Sequence, residues 1–133
     1  MGLKRRTREL ALQMLFQMDL GTVRLKDLEE NFLPQASAPE NAKILALQMV
    51  RNTWDKLADI DQQLRARAEN WDLARMAAVD RNILRLAAFE ILYDAEVPRS
   101  VAINEAIEIV KKFSTDDSSK FVNGILDKLE RKP

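Results

Sequence analysis

Residues Val79 to Tyr93 constrain this chain more than any other stretch. Ile83, Leu84, Leu86, Ala87, Ala88, Phe89, Ile91 and Leu92 cover almost every side of the helix they would form. A helix that is apolar nearly all round has to be buried on most sides. The run is therefore predicted to be a central post between two helical layers. Glu90 inside it then needs a partner, because an unpaired buried carboxylate is costly. Asp80, Arg81 and Arg85, near the start, are expected to reach the surface.

A helical hairpin is predicted to follow, over residues 97–129. Pro98 ends the preceding helix, since the residue before a proline is pushed out of the αR region. Ser100 is expected to cap the next helix. Ile103, Ala106, Ile107, Val110 and Phe113 then share a face at helical spacing. The tract Ser114–Ser119 is rich in side chains that bond their own backbone, so it breaks one helix and starts another. Phe121, Val122, Ile125, Leu126 and Leu129 form the second stripe. Gly124 lies within it, at a cost of about 1 kcal/mol relative to alanine. That glycine marks either close approach of another backbone or a tolerated defect.

The first half is helical in pattern too. Leu3, Leu10, Ala11, Met14, Leu15 and Met18 share a face, and Gly21 is a C-terminal stop. Arg5, Arg6, Glu9, Leu12, Gln13 and Phe16 fall on the other side. Leu12 and Phe16 there either pack on a second layer or belong to a contact surface. A short acidic helix over Leu25–Leu33 is ended by Pro34. Pro39 and Glu40 open the next helix, whose stripe is Leu47, Val50, Trp54 and Leu57. The phase slips near Ala58–Asp61, so a bend or a new helix capped by Asp59 or Asp61 is expected. Both tryptophans, Trp54 and Trp71, are expected to anchor the core. No strand alternation or hairpin signal interrupts this pattern. The expected fold is all-α, about seven helices in one domain of 133 residues, as two packed groups, about 1–70 and 71–133.

Composition narrows the chemistry. There is no cysteine and no histidine, which removes thiol nucleophiles, Cys/His zinc sites and imidazole bases. The glycines, at 2, 21 and 124, cannot spell a phosphate-cradling loop. Neither a cofactor nor a metal site is expected. No apolar run approaches the roughly 18 residues of a membrane span. Lysine and arginine total 21 against 21 acids, yet Lys4, Arg5, Arg6 and Arg8 make residues 1–8 locally positive with no acid among them.

Lys4-Arg5-Arg6-Thr7-Arg8-Glu9-Leu10-Ala11-Leu12-Gln13-Met14-Leu15-Phe16 and the hairpin Val97–Leu129, preceded by Val79–Ala87 and Glu90, resemble the NusB family of bacterial transcription antitermination factors. The resemblance extends in order and spacing over nearly the whole chain, although residues 20–70 match only in helical character. It implies two three-helix bundles and no enzyme. Family members bind the boxA element of ribosomal RNA leader transcripts. They do so best with NusE, a small-subunit ribosomal protein, and the complex joins other Nus factors on RNA polymerase in the cytoplasm.

By similarity, Lys4, Arg5, Arg6 and Arg8 hold RNA, with Gln13 beside them. Phe16, Asp80, Asp117 and Phe121 fall on the family's NusE-contacting positions. Phe121 also suits the core or an RNA contact. Two departures stand out: Ser114-Thr115 replaces a glycine and a small residue, and Phe16 replaces a tyrosine, losing a hydroxyl but keeping the apolar contact. Other readings stay open. One is a helical protein–protein adaptor with no RNA role. Another is the N-terminal domain of a ribosomal RNA cytosine methyltransferase, which needs a further nucleotide-binding domain. A small hydrolase has little to work with. A monomer and a homodimer are equally compatible with the exposed face.

Overall fold

The computed structural model describes residues 2–21, 23–69 and 72–130, with the side chains of residues 2 and 3 left out. Expectations for Trp71 and for the Leu3 side chain fall outside the described residues. The architecture is all-α. Among the described residues seven helices follow one another: α1 (Gly2–Leu20), α2 (Leu25–Asn31), α3 (Glu40–Asp55), α4 (Leu57–Arg67), α5 (Ala78–Tyr93), α6 (Arg99–Phe113) and α7 (Asp116–Leu126). Short 3₁₀ turns at Leu33–Gln35 and Leu73–Arg75 join them. None of the described helices is long and apolar enough to cross a membrane.

Two apolar cores form. Leu10, Ala11, Met14 and Leu15 of α1 pack with Leu28, Leu33 and with Ala42, Ala46 and Val50 of α3; Trp54 joins them partly buried. The second core gathers Ile60 and Leu64 of α4, Ile83, Leu84 and Ile91 of α5, Ile109 and Val110 of α6, and Val122 and Leu126 of α7. Two residues cross the seam. Leu12 of α1 enters the second core and Leu86 of α5 enters the first. Leu12 thus takes the second-layer role, and α1 is buried on two sides.

The apolar packing groups α4 with the second core, so the cores divide at the α3–α4 junction, earlier than residue 70. The helix break expected near Ala58–Asp61 falls at Lys56, which has no side-chain cap. Asp61 is not a cap either: it is buried in an ion pair with Arg85. Pro34 sits inside a 3₁₀ turn rather than at a helix end. Helix α6 starts two residues early, with Pro98 at the N-cap, so Ser100 lies in the first turn and does not cap. Thr115 does cap α7, accepting from the Ser118 backbone N–H at 3.1 Å. A Cβ placed on Gly124 would meet nothing within 4 Å, so no close approach explains it.

Asp80, Arg81 and Arg85 depart from expectation: all three are buried. The reason is pairing. Arg81 donates through Nε and Nη2 to Asp19 at 2.8 and 2.6 Å, and through Nη1 to the carbonyls of Leu73 and Met76. Arg85 holds Asp61 bidentately, both bonds at 2.9 Å, and reaches Asp19 at 3.2 Å. Asn82 completes the set by donating to Asp19 at 3.0 Å. This network ties the end of α1, α4 and α5 together where the two cores meet. Burial pushes the Asp19 carboxyl up, but the bonds from Arg81 and Asn82 outweigh it and hold it below the usual range.

Candidate nucleic-acid interface

The first two turns of α1 place their four cations unequally. Lys4 is exposed. Arg5 is half-buried and clamps Glu105 of α6 bidentately, Nε at 2.8 Å and Nη2 at 2.6 Å. That bond raises the Arg5 pKa and lowers that of Glu105. Arg6 spans the seam differently: Nε and Nη2 donate to the Ser37 carbonyl, and Nη1 to Glu9 at 3.3 Å.

Arg8 is withdrawn from this surface, only 6% exposed. It donates to Glu90 bidentately at 2.8 and 2.7 Å and lies 3.6 Å from Glu105. The hydrogen bond to Glu90 raises its pKa despite burial. This supplies the partner that Glu90 required, and a phosphate would reach Arg8 only by displacing Glu90. The sequence showed no acid among residues 1–8; folding brings Glu90 and Glu105 onto them from α5 and α6.

Glu9 is buried, and two cations stand on it. Arg6 takes Oε1, while Lys112, from the far end of α6, takes Oε2 at 2.9 Å. Lys112 keeps its head exposed, 5.4 Å above the centre of the Phe113 ring. Phe113 in turn lines a groove of about 290 Å³ with Leu12, Gln13, Phe16, Gln17, Phe32 and Val79. Gln13 and Phe16 are thus brought together at this groove, whose wall is almost entirely apolar, and Lys112 stands over the Phe113 ring that lines it.

Round the head of α5 lies a second cleft, of about 260 Å³. Asp80, Asp117 and Phe121 line it together with Arg75, Met76 and Ser118. Asp80 Oδ2 accepts from the Ser118 hydroxyl at 2.9 Å, whereas its Oδ1 is buried with no hydrogen-bond partner among the described residues. Phe121 packs partly on the second core while lining the cleft, so its ring serves both. Val79 lines the groove and Asp80 the cleft, so both open at the first turn of α5.

Sequence reasoning missed Glu9 and Glu105 as anchors and Lys112 and Phe113 as members of the surface. For the two glutamates a signal existed. Glu105 sits between Ile103 and Ala106 on a helix face otherwise apolar, and Glu9 abuts Leu10, so both required cations once buried. For Lys112 nothing local marks it out from Lys111 beside it.

Comparison with known proteins gives the family. The family model described as NusB matches residues 5–131. The transcription antitermination protein NusB of Trichlorobacter lovleyi is 44% identical over 133 residues, covering 100% of this chain and 94% of that relative. That of Desulforamulus reducens is 44% identical over 126 residues, covering 95% and 88%. The solved structure of T. maritima NusB superposes with a TM-score of 0.81 at 39% identity, covering 93% of this chain and 87% of that one. A solved complex of the antitermination factors NusB and NusE with double-stranded RNA shares the fold, with a TM-score of 0.79 at 23% identity, covering 96% and 95%. The chain belongs to the NusB family.

Proposed function

We propose that this chain is an RNA-binding antitermination factor that recognises boxA of ribosomal RNA leader transcripts together with NusE, within a Nus complex on RNA polymerase in the cytoplasm. The observation that carries the reading is a juxtaposition. Arg6, half-exposed on α1, and Lys112 of α6 share the carboxylate of Glu9 one turn before the apolar groove of Gln13, Phe16 and Phe113, and an acid-lined cleft lies round the head of α5. Unpaired bases are recognised by stacking on aromatic rings and by bonds to their edges, while cations hold the phosphates. Phe16 and Gln13 provide the first kind of contact and Lys4, Arg5 and Arg6 the second. Arg5 keeps Nη1 unspent after binding Glu105, so it can take a phosphate without leaving its anchor.

The acid-lined cleft suits NusE. Asp80 Oδ1 is a buried acceptor without a donor, which a partner N–H would satisfy. Asp117 and Phe121 flank it, and Phe16 reaches the same region from the groove side. Mechanistically the protein positions and does no chemistry. A chain of no net charge with only three accessible cations in the first two turns of α1 binds RNA weakly alone, so a partner that widens the surface supplies affinity and specificity.

The test is titration of labelled boxA RNA and a scrambled RNA, with and without NusE, over a range of salt. Each phosphate neutralised contributes a slope of about 0.7 to log affinity against log salt on single strands. Changing Arg5 and Arg6 together to alanine is expected to lower the slope by about 1.4. At about 0.1 M salt this amounts to about 25-fold weaker binding. Binding unchanged in that variant would instead favour the adaptor without an RNA role.

A further inference from the structure

We infer that Lys112 is a phosphate-binding residue of the RNA surface, paired with Arg6 through the shared carboxylate of Glu9. This rests on the RNA-binding reading above and adds to it a contact from α6. Three observations carry it. Lys112 comes from a position 103 residues away from Glu9, yet its ammonium stands 2.9 Å from Glu9 Oε2. Its side chain remains 59% exposed while that of Glu9 is 6% exposed, so the carboxylate anchors the cation from beneath and leaves its outer side to solvent. The ammonium also sits over the Phe113 ring, which forms the wall of the groove that holds Phe16 and Gln13.

An ammonium carries three donors. One is directed to Glu9, and two remain for a phosphate. Glu9 carries a single negative charge beneath two cations, so the Arg6–Glu9–Lys112 cluster keeps a net positive charge at the mouth of the groove. A strand whose base lies in the groove would have its flanking phosphates within reach of a cation on α1 and another on α6. Lys111 is placed otherwise: it pairs across one helical turn with the exposed Glu108 at 3.7 Å, an arrangement of little energetic weight.

The experiment is the salt titration of the full chain with labelled single-stranded boxA RNA, in two backgrounds. Lys112→Ala is expected to lower the salt slope by about 0.7, or about fivefold weaker binding at about 0.1 M salt. Lys112→Arg is expected to restore both. Losing Lys112 also removes a partner from Glu9, so the comparison is repeated between Glu9→Gln and Glu9→Gln/Lys112→Ala, where the carboxylate beneath Lys112 is gone. The same drop in slope there supports a phosphate contact. A slope unchanged by Lys112→Ala in both backgrounds overturns the inference and leaves Lys112 as the counterion of Glu9. In that event the Arg5/Arg6 double variant separates the two readings: a reduced slope keeps the RNA surface on α1, whereas an unchanged one removes both.

Discussion

Arg8 and Glu90 are the pair whose separation should cost this protein most. Both are nearly inaccessible, and their two parallel bonds are short. Removing one partner of a buried ion pair leaves a charge in a low-dielectric site, a loss of about 3–5 kcal/mol. Replacing both by apolar residues of similar volume leaves none. Arg8→Met and Glu90→Met are therefore each expected to destabilise by about 3–5 kcal/mol, and the double variant by far less. Urea denaturation of the four proteins checks this. A double variant that loses the sum of the singles would mean that the pair contributes no mutual stabilisation. Arg8 belongs to the same basic run as Arg5 and Arg6, and nothing in its immediate neighbours distinguishes it. Its burial follows from the helix turn that points it at α5, which places Glu90 opposite.

At the scale of the element, periodicity made the helices legible. The apolar stripes of α5, α6 and α7 were readable because packing repeats every three or four residues, and the starts of α3 at Pro39 and of α7 within the Ser114–Ser119 tract follow from local backbone chemistry. Element ends were less legible. The α3–α4 break at Lys56 has neither a proline nor a side-chain cap, so no local residue announces it. Gly124 shows the same limit from the other side. Its neighbours in sequence could not tell open space from close approach, but the structure finds open space. Gly124→Ala is accordingly expected to stabilise α7 by about 0.5–1 kcal/mol, through a smaller loss of backbone entropy on folding. A shift of the urea midpoint to higher concentration with an unchanged slope would bear this out; destabilisation would mean that the exposed face of α7 meets something in solution.

Across the whole molecule, two helices hold two cores together. Leu12 and Leu86 exchange places across the seam, and the Asp19–Arg81–Arg85–Asp61 network closes one end of it. That network carries a pH dependence with a definite sign. The folded pKa of Asp19 lies below its ordinary 3.8, so its contribution is complete above that value and disappears as pH falls through the folded pKa. Glu105 behaves likewise from its ordinary 4.5, chiefly through its bond from Arg5. Stability is expected to fall on acidification below about pH 4, and to fall less steeply in Asp19→Asn. The gap between variant and parent should close as pH falls through the folded pKa of Asp19. A gap independent of pH across that range would place the contribution of Asp19 in packing rather than in charge.

Helix content, the central position of α5, the need of Glu90 for a partner, the absence of thiol and imidazole chemistry and the family all follow from residue types and their spacing. Each is a property of one segment or of composition, and short-range periodicity carries it. The residues that would meet RNA and a partner were also named along the chain, through likeness to a family. Which of them are accessible was decided only by the tertiary fold. Asp80, Arg81 and Arg85 look like surface charges in sequence and are buried because acids from α1 and α4 or a hydroxyl from α7 reach them. Lys112 looks like an ordinary solvent-facing lysine, yet it joins the cations of α1 because Glu9 comes to lie beneath it. Charge pairing between distant segments depends on where helices cross, and a one-dimensional pattern does not encode that crossing.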